Sequence, residues 1–253
     1  MMMKNISKFN GKSIMYSKFR PDYPNELVMD MIFENTLTSN SIIADIGSGT
    51  GIMTKKLLDE GFKVFAVEPN TEMRMVAEEK LQKYKLFNSI EGSAEYTTLL
   101  KMSVDFITVA QAFHWFHVKR FQKECQRILK KNGKVAIISN ERMAATSINQ
   151  EIEIAYKQCC PDFNGFSNGF ANSEEIYDRF FQKNYSRKIY NNPLLFDKTG
   201  FIGRHLSSSF SLTKGDRLYP NLVEALSNIF DKYSKDDVIA VPNLTKYRCG
   251  FVH

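Results

Sequence analysis

Short apolar runs alternate with helical patterns over the first 140 residues. The predicted strands are short, mostly apolar runs, and they lie at 41–47, 63–69, 86–92, 104–111 and 134–139. The predicted helices repeat apolar residues every three or four positions, and they span 52–60, 71–84 and 119–133. Asn70 and Gly133 stand where a helix N-cap and a helix stop are expected. Strands that are apolar on both faces and alternate with helices indicate a doubly wound, mostly parallel sheet of the α/β class.

The alternation stops after about residue 142. Ten aromatic residues without a clean period follow, at Phe163, Phe166, Phe170, Tyr177, Phe180, Phe181, Tyr185, Tyr190, Phe196 and Phe201. A helical stripe returns at 221–233, and the last residues alternate like one or two edge strands that Pro242 interrupts. The pattern predicts a core over 1–141, a helical, aromatic-rich insertion or cap over 142–205, and a closing helix and strands over 206–253. The aromatic rings either wall a ligand pocket or form the core of the cap.

Composition excludes several classes of protein. Of the 253 residues, 43% are hydrophobic and 25% charged, as in ordinary globular proteins. There is neither an apolar run of ~18–20 residues nor a secretory signal, so a cytoplasmic protein is expected. The four cysteines form no C-x-x-C pair, which predicts reduced thiols and no metal site.

A net charge of +6 and a pI near 9.0 raise the question of an anionic partner. The basic residues are scattered, and the densest groups are pairs such as Lys55-Lys56 and Lys130-Lys131. We therefore expect a solvated surface, and nucleic acid is not the expected partner.

The stretch 44–51, "ADIGSGTG", carries the first chemical signal. Gly47, Gly49 and Gly51 lie at a strand-to-helix junction, where glycine allows a sharp turn and lets a ligand lie against bare main chain. Glu68 ends the second strand, 17 residues after Gly51. A carboxylate at that point can accept hydrogen bonds from both hydroxyls of a ribose. A nucleoside ligand is therefore expected.

Two details distinguish between nucleoside cofactors. The dinucleotide fingerprint is G-x-G-x-x-G, whereas the third glycine here comes one residue early. Asp45, two residues before Gly47, places an acid where the phosphates of NAD would lie. An acid suits a ligand with an ammonium and a sulfonium, which favours S-adenosylmethionine (SAM) over NAD.

The stretches "ADIGSGTG", "VEPN", "EGSAE" at 91–95 and "VDFITVAQAFHWF" at 104–116 resemble, in order and spacing, the motifs of class I SAM-dependent methyltransferases. The "HWF" after the fourth strand is similar to the small-molecule branch that includes trans-aconitate-type enzymes. The resemblance is strong over the first 140 residues and weak over the final 45. It implies a seven-stranded Rossmann-like sheet and transfer of a methyl group from SAM to a small-molecule acceptor, such as a carboxylate or hydroxyl.

The resemblance also implies roles for individual positions. Those expected to contact the cofactor are Tyr16, Arg20, Asp45, Gly47, Ser48, Gly49, Thr50, Gly51, Glu68, Pro69, Asn70, Met73, Ser93, Ala94, Glu95, Ala110, Gln111 and Ala112. Tyr16 and Arg20 belong to an N-terminal segment that folds over the cofactor in this family. The fourth strand lacks the Asp or Asn with a following Pro that many relatives carry, which argues against methylation of an amide or base nitrogen.

Methyl transfer needs a base only when the acceptor has a proton to remove. His114, between Phe113 and Trp115 at a strand end, is the candidate base. The neighbouring rings either face the sulfonium through cation–π contact or belong to the core. The expected assembly is a monomer or homodimer. The alternatives are an RNA or protein methyltransferase, a SAM-binding protein without catalysis, and an NAD-dependent oxidoreductase.

Overall fold

The computed structural model describes residues 22–166, 174–208 and 210–252. The helices are α1 (Asn25–Glu34), α2 (Ile52–Asp59), α3 (Thr71–Leu81), α4 (Val118–Ile128), α5 (Ser147–Cys159), α6 (Glu174–Phe180), α7 (Lys198–Leu206) and α8 (Tyr219–Tyr233). The strands are β1 (Ile42–Ile46), β2 (Lys63–Val67), β3 (Phe87–Ile90), β4 (Val104–Ala110), β5 (Leu129–Arg142), β6 (Tyr185–Asn191), β7 (Leu194–Phe196), β8 (Ile239–Val241) and β9 (Asn243–Gly250). A short 3₁₀ turn spans Phe113–Trp115.

Seven of these strands form one sheet in the order β3-β2-β1-β4-β5-β9-β6. The first five pair in parallel, and β9 is antiparallel to both of its neighbours. The order reverses between β1 and β4, and in such open sheets ligands bind outside the carboxyl ends of the strands at that point. The α/β, doubly wound and mostly parallel seven-stranded sheet expected from the sequence is therefore confirmed.

Each face of the sheet carries its own apolar core. Helices α4 and α6 cover one face, where Phe121 and Phe180 pack on the side chains of β4 and β5. Helices α1, α2 and α3 cover the other face. Leu27, Leu57 and Leu81 of these helices lie in one apolar cluster with the strand side chains that point to that face. The largely buried central strands β1 and β4 explain the mostly apolar runs of the sequence.

A third apolar cluster lies apart from the sheet. Helices α5, α7 and α8 enclose it together with the two-stranded sheet β7-β8. The aromatic run is divided among all three cores: Phe163, Phe166, Phe196 and Phe201 lie in the third, Tyr177, Phe180, Phe181 and Tyr185 in the first and Tyr190 in the second, while Phe170 falls outside the described residues. Most of these rings are therefore core.

The expected boundary at residue 206 needs correction. Strand β6 lies within 142–205 but forms the edge of the large sheet, because its backbone pairs with β9 over seven residues. Helix α8, expected to close the core, packs instead with α5 in the third cluster. The chain therefore passes between sheet and cap more than once after residue 142.

Two local expectations were also wrong. Helix α4 ends at Ile128 rather than at Gly133, because Leu129 adopts an extended backbone and pairs with Val104. The alternating pattern at the end of the chain predicted an edge strand, yet β9 lies inside the sheet between β5 and β6. Among the helices of the described ranges, none is long and apolar enough to cross a membrane.

Candidate active site

The loop after β1 is tied to the end of β2. The backbone N–H groups of Gly47 and Ser48 both donate to the carbonyl oxygen of Val67, at 2.8 and 3.2 Å. The N–H of Gly49 donates to Oε2 of Glu68 at 2.9 Å. Because these three donors are engaged within the protein, they do not form the open N–H cradle that a pyrophosphate requires.

All three loop glycines have positive φ angles, of 69° at Gly47, 57° at Gly49 and 83° at Gly51. At two of them the protein also leaves no room for a side chain. A Cβ at Gly47 would lie 2.6 Å from Cβ of Ala112, and one at Gly51 would lie 2.7 Å from Leu81. At Gly49, by contrast, an added Cβ would meet nothing within 4 Å. The loop is therefore packed against the protein at both ends and open in the middle.

Glu68 is held at the carboxyl end of β2 with 8% of its surface exposed. Its second oxygen, Oε1, accepts a hydrogen bond from the N–H of Asn70 at 2.9 Å. Burial raises the pKa of this carboxyl, while the two backbone donors lower it. Each carboxylate oxygen accepts one bond and keeps a second lone pair, so the group can still receive two hydroxyl donors.

Asp45 is buried within the sheet, 1% exposed. Its two oxygens accept hydrogen bonds from the hydroxyls of Thr54, at 2.6 Å, and Thr108, at 2.9 Å. Burial raises the pKa of Asp45 to about 6, against the lowering effect of these threonines. The acid thus connects β1 with α2 and β4 beneath the loop.

Thr50 has a buried hydroxyl, and within the described part of the chain its Oγ1 finds no hydrogen-bond partner. Buried hydroxyls in native proteins are nearly always paired. An orphaned hydroxyl in the loop, next to the open space above Gly49, is what a missing polar ligand would leave.

The predicted adenine-side residues lie after β2 and β3. The Asn70 side chain accepts from the N–H of Met73 at 3.0 Å, which confirms Asn70 as the N-cap of α3. Met73 and Ala94 are buried, whereas Pro69 and Ser93 are half-buried.

Glu95 supports the next helix as well as bordering this region. Its Oε1 accepts from the backbone N–H of His117 at 2.7 Å, at the start of α4. Its carboxylate therefore has a structural partner in addition to its predicted position near the cofactor.

Gln111 ends β4 in a left-handed conformation, with φ of 57°. Its backbone N–H donates to Ile138 and its side-chain Nε2 to the carbonyl of Asn140, at 2.9 and 3.1 Å. Non-glycine residues in this conformation are uncommon and concentrate at functional sites. Ala112, 7% exposed, follows directly against Gly47, while Ala110 is half-buried.

His114 lies in the 3₁₀ turn between the buried Phe113 and the exposed Trp115, and its ring centroid is 4.7 Å from that of Trp115. Phe113 stacks on Tyr177 of α6 at 5.4 Å and contacts Phe180 edge-on. The Phe113 ring is therefore core, whereas the half-buried His114 stands at the rim of the carboxyl edge.

Sequence reasoning missed a polar network beyond β5. Oδ1 of Asn140 accepts from Thr245 at 2.5 Å, and Asn192 donates to Thr245 at 2.9 Å and to the carbonyl of Asp22 at 3.0 Å. These residues come from β5, β9, the position just after β6 and the start of the described chain. The alternating pattern of β9 indicates a strand at Thr245, but no local pattern links it to Asn140 or Asn192. Tyr16 and Arg20 fall outside the described residues.

Comparison with known proteins agrees with this geometry. Residues 44–137 match the family described as methyltransferase domain. A protein named as a methyltransferase in Dictyostelium discoideum is 28% identical over 250 residues, covering 95% of this chain and 92% of its own length. A methyltransferase-named protein of Schizosaccharomyces pombe is 34% identical over 131 residues, and there the chain spans half the length of its relative. The match to this second relative also covers only 50% of this chain.

The fold has counterparts among solved structures. A structure from Anaeromyxobacter dehalogenans, named as a type II methyltransferase, superposes with a TM-score of 0.65. The sequence identity is 18%, and the alignment covers 92% of this chain and 98% of the other. At that identity the likeness concerns the fold.

These findings define a class I methyltransferase domain, with the strand order and the glycine loop of that class. The domain match over 44–137 and the relatives named as methyltransferases indicate a SAM-dependent methyltransferase, with SAM as the cofactor. The alternative of an NAD-dependent oxidoreductase is therefore wrong. In the described ranges, no group of three or more His, Cys, Asp or Glu side chains could hold a metal ion.

Proposed function

We propose that the protein transfers the methyl group of SAM to a small-molecule acceptor and releases S-adenosylhomocysteine. The observation that carries the proposal is the contact between the glycine loop and Glu68, in which Gly49 donates to Oε2 at 2.9 Å. This contact places an acceptor-rich carboxylate beside the open part of the loop, where a ribose with two adjacent hydroxyls would fit.

The residues present fit the cofactor. Glu68 would accept the ribose hydroxyls, and the orphaned Oγ1 of Thr50 would donate to the methionine part of SAM. Pro69 and Met73 would line the adenine on one side, with Ser93 and Ala94 at its edge. Asp45 would act from below, by fixing the loop through Thr54 and by adding negative charge beneath the cationic ligand.

SAM supplies an already activated methyl group, so the protein chiefly aligns the acceptor and excludes water. Ala110 and Ala112 leave room beside Gln111, which would form the floor under the transferred methyl. His114 is the proposed base for acceptors that must lose a proton. A carboxylate acceptor would need no base, and His114 would then only border the site.

Calorimetric titration with SAM and with NAD tests the cofactor site. Glu68→Ala is expected to weaken SAM binding by roughly 1–3 kcal/mol, because the ribose hydroxyls lose a charged acceptor. Glu91→Ala is the matched control, since that carboxylate follows the neighbouring strand but is exposed and paired with Arg74. If the two variants bound SAM with equal affinity, Glu68 would not be the residue that binds the ribose hydroxyls.

The acceptor class needs a second experiment. Metabolite extracts incubated with the enzyme and methyl-labelled SAM should yield a labelled small molecule by mass spectrometry. Label appearing only in RNA or protein fractions would favour the alternative methyltransferases and end this proposal.

A further inference from the structure

Glu124, in α4, is a charged residue that the fold buries, with 6% of its surface exposed. Its Oε1 accepts hydrogen bonds from both the backbone N–H and the hydroxyl of Thr97, at 2.8 and 2.6 Å. Arg127, one turn further along the helix, donates from Nη2 to the same oxygen at 2.7 Å and from Nε to Oε2 at 2.8 Å. Burial raises the pKa of Glu124, but the hydrogen bonds from Arg127 and Thr97 outweigh it and hold the pKa below its ordinary value. The ionised carboxylate therefore satisfies two donors of a threonine that is itself fully buried.

Thr97 follows a tight turn after β3 that closes on itself. Ser93 and Tyr96 exchange two backbone hydrogen bonds, of 3.0 and 3.2 Å. A Cβ at Gly92 would lie 2.8 Å from the carbonyl oxygen of Thr97 and 3.1 Å from Cγ1 of Val67. The carbonyl oxygen of the same valine accepts the first two N–H groups of the glycine loop. The turn of residues 93–96 therefore lies against the strand end that anchors the glycine loop.

This turn is attached to α4 at two places. Oε1 of Glu95, within the turn, accepts from the backbone N–H of His117 at the start of the helix. Thr97, just behind the turn, bonds to Glu124 about two helical turns further on. Glu95 is only half-buried, whereas Glu124 and Thr97 are shielded from water. Since a buried carboxylate is not easily replaced by water as an acceptor, the second attachment is the one that fixes the turn.

We propose that Glu124 is a positioning residue for the cofactor, because through Thr97 it fixes the turn whose Ser93 and Ala94 would border the adenine of SAM. The proposal rests on the proposed function, which assigns the adenine edge to these two residues. Glu124 acts through the turn and does not itself contact SAM. A turn that is held in place before binding avoids the cost of ordering it when the ligand arrives, so loosening it should lower the affinity for SAM.

Calorimetric titration with SAM tests the proposal without relying on turnover. Glu124→Gln keeps the shape of the side chain, but an amide that accepts from Thr97 must turn its NH₂ group towards the donors of Arg127. The affinity for SAM should therefore fall about tenfold. The affinity for 5′-methylthioadenosine, which has the adenine and ribose but no amino acid part, should fall by the same factor. A loss for SAM with unchanged binding of 5′-methylthioadenosine would place the effect on the methionine side and overturn the proposal.

Variants of the two partners show which contact of Glu124 matters. Thr97→Val removes the buried hydroxyl at nearly the same shape and should weaken SAM binding about fivefold. Thr97→Ser keeps the hydroxyl and should stay within about twofold of wild type. Arg127→Met removes the ion pair but leaves both bonds to Thr97, so it should also stay within about twofold. If Arg127→Met weakened SAM binding as much as Thr97→Val, Glu124 would brace the helix rather than the turn, and the proposal would be wrong.

Asp105 provides the matched control for a loss of stability. Its Oδ2 accepts from the backbone N–H of Ile42 and from Nζ of Lys130, both at 2.8 Å. This carboxylate also combines a backbone donor with an ion pair, but it lies at the opposite edge of the sheet, where β1 and β4 begin. Asp105→Asn should lower the free energy of unfolding in denaturant and leave SAM affinity within about twofold of wild type. An equal loss of SAM affinity in Asp105→Asn and Glu124→Gln would mean that affinity follows general stability.

The outcomes separate two kinds of failure. Failure of SAM to bind the wild-type protein overturns the proposed function itself. If the wild-type protein binds SAM and Glu124→Gln and Thr97→Val bind it equally well, only the positioning role is overturned, and Glu124 is a link within the fold. If Glu124→Gln does not fold, the valine and serine variants of Thr97 decide, because they differ in the hydroxyl that Glu124 accepts from.

Discussion

The two halves of the sheet's carboxyl edge are built in different ways. The cofactor half, at β1 and β2, consists of backbone and side chains within 24 residues, from Asp45 to Glu68. The other half brings together Asn140, Asn192 and Thr245, which are separated by up to 105 residues. The first half is therefore readable as a local motif, whereas the second exists only after the chain has folded.

Gly47→Ala should have the largest effect, and it falls on the cofactor half. The substitution combines a left-handed backbone with a Cβ that would lie 2.6 Å from Ala112, so roughly 3 kcal/mol or more of folding free energy should be lost. Gly61→Ala is the control, because φ at Gly61 is also positive but an added Cβ would meet nothing within 4 Å. Denaturant unfolding measures both. Equal losses would show that packing on Ala112 contributes nothing.

Asp45→Asn should show the next largest effect, through pH. Burial raises the pKa of Asp45 from its ordinary value of 3.8 to about 6 in the folded protein, so the folded state binds the proton more tightly. Its contribution to stability is therefore full below pH 3.8 and is lost as pH rises through 6, by roughly 3 kcal/mol. The stability of the asparagine variant relative to wild type should rise over that range. If the stability difference between the asparagine variant and wild type stayed constant from pH 4 to 7, Asp45 would not have the raised pKa of a buried carboxyl.

Asn192→Ala should have the smallest effect on stability. The effect should be confined to the half of the carboxyl edge that contains Asn140, Asn192 and Thr245. It removes hydrogen bonds to Thr245 and to the carbonyl of Asp22, worth about 1 kcal/mol of stability. SAM affinity, measured by calorimetry, should not change. Asn88→Ala is the control, since its side chain donates to backbone carbonyls at the far edge strand. A loss of SAM affinity specific to Asn192→Ala would mean that the two halves are coupled.

The comparison also explains what the sequence could predict. Apolar runs correctly predicted β1, β2 and β4, because strands that are mostly buried on both faces need few polar positions. The third strand was also predicted, although its four residues, Phe87–Ile90, include two polar ones and are only half-buried. The boundary at Ile128 could not be read, since apolar spacing does not tell whether Leu129 continues a helix or begins to pair with Val104. Periodicity likewise describes the faces of β9 but not its neighbours, so an interior strand was taken for an edge.

The candidate site follows the same division. Gly47, Gly51 and Glu68 were predicted from local spacing, and their geometry is dictated by steric and hydrogen-bonding demands within one β-α-β unit. Glu124 carried no signal in the sequence, because a single acid among the basic residues of a helix looks like surface. Only the fold, which buries it against Thr97, makes it unusual.

The interior position of β9 has a consequence for folding order. Strands β5 and β6 lie on either side of it, so neither edge of that part of the sheet can pair until residues 243–250 are available. During synthesis, β5 would wait for more than 100 residues with an open edge, a condition that favours aggregation of partly folded chains. We therefore expect folding to be limited by this late, long-range insertion rather than by assembly of the glycine-loop unit.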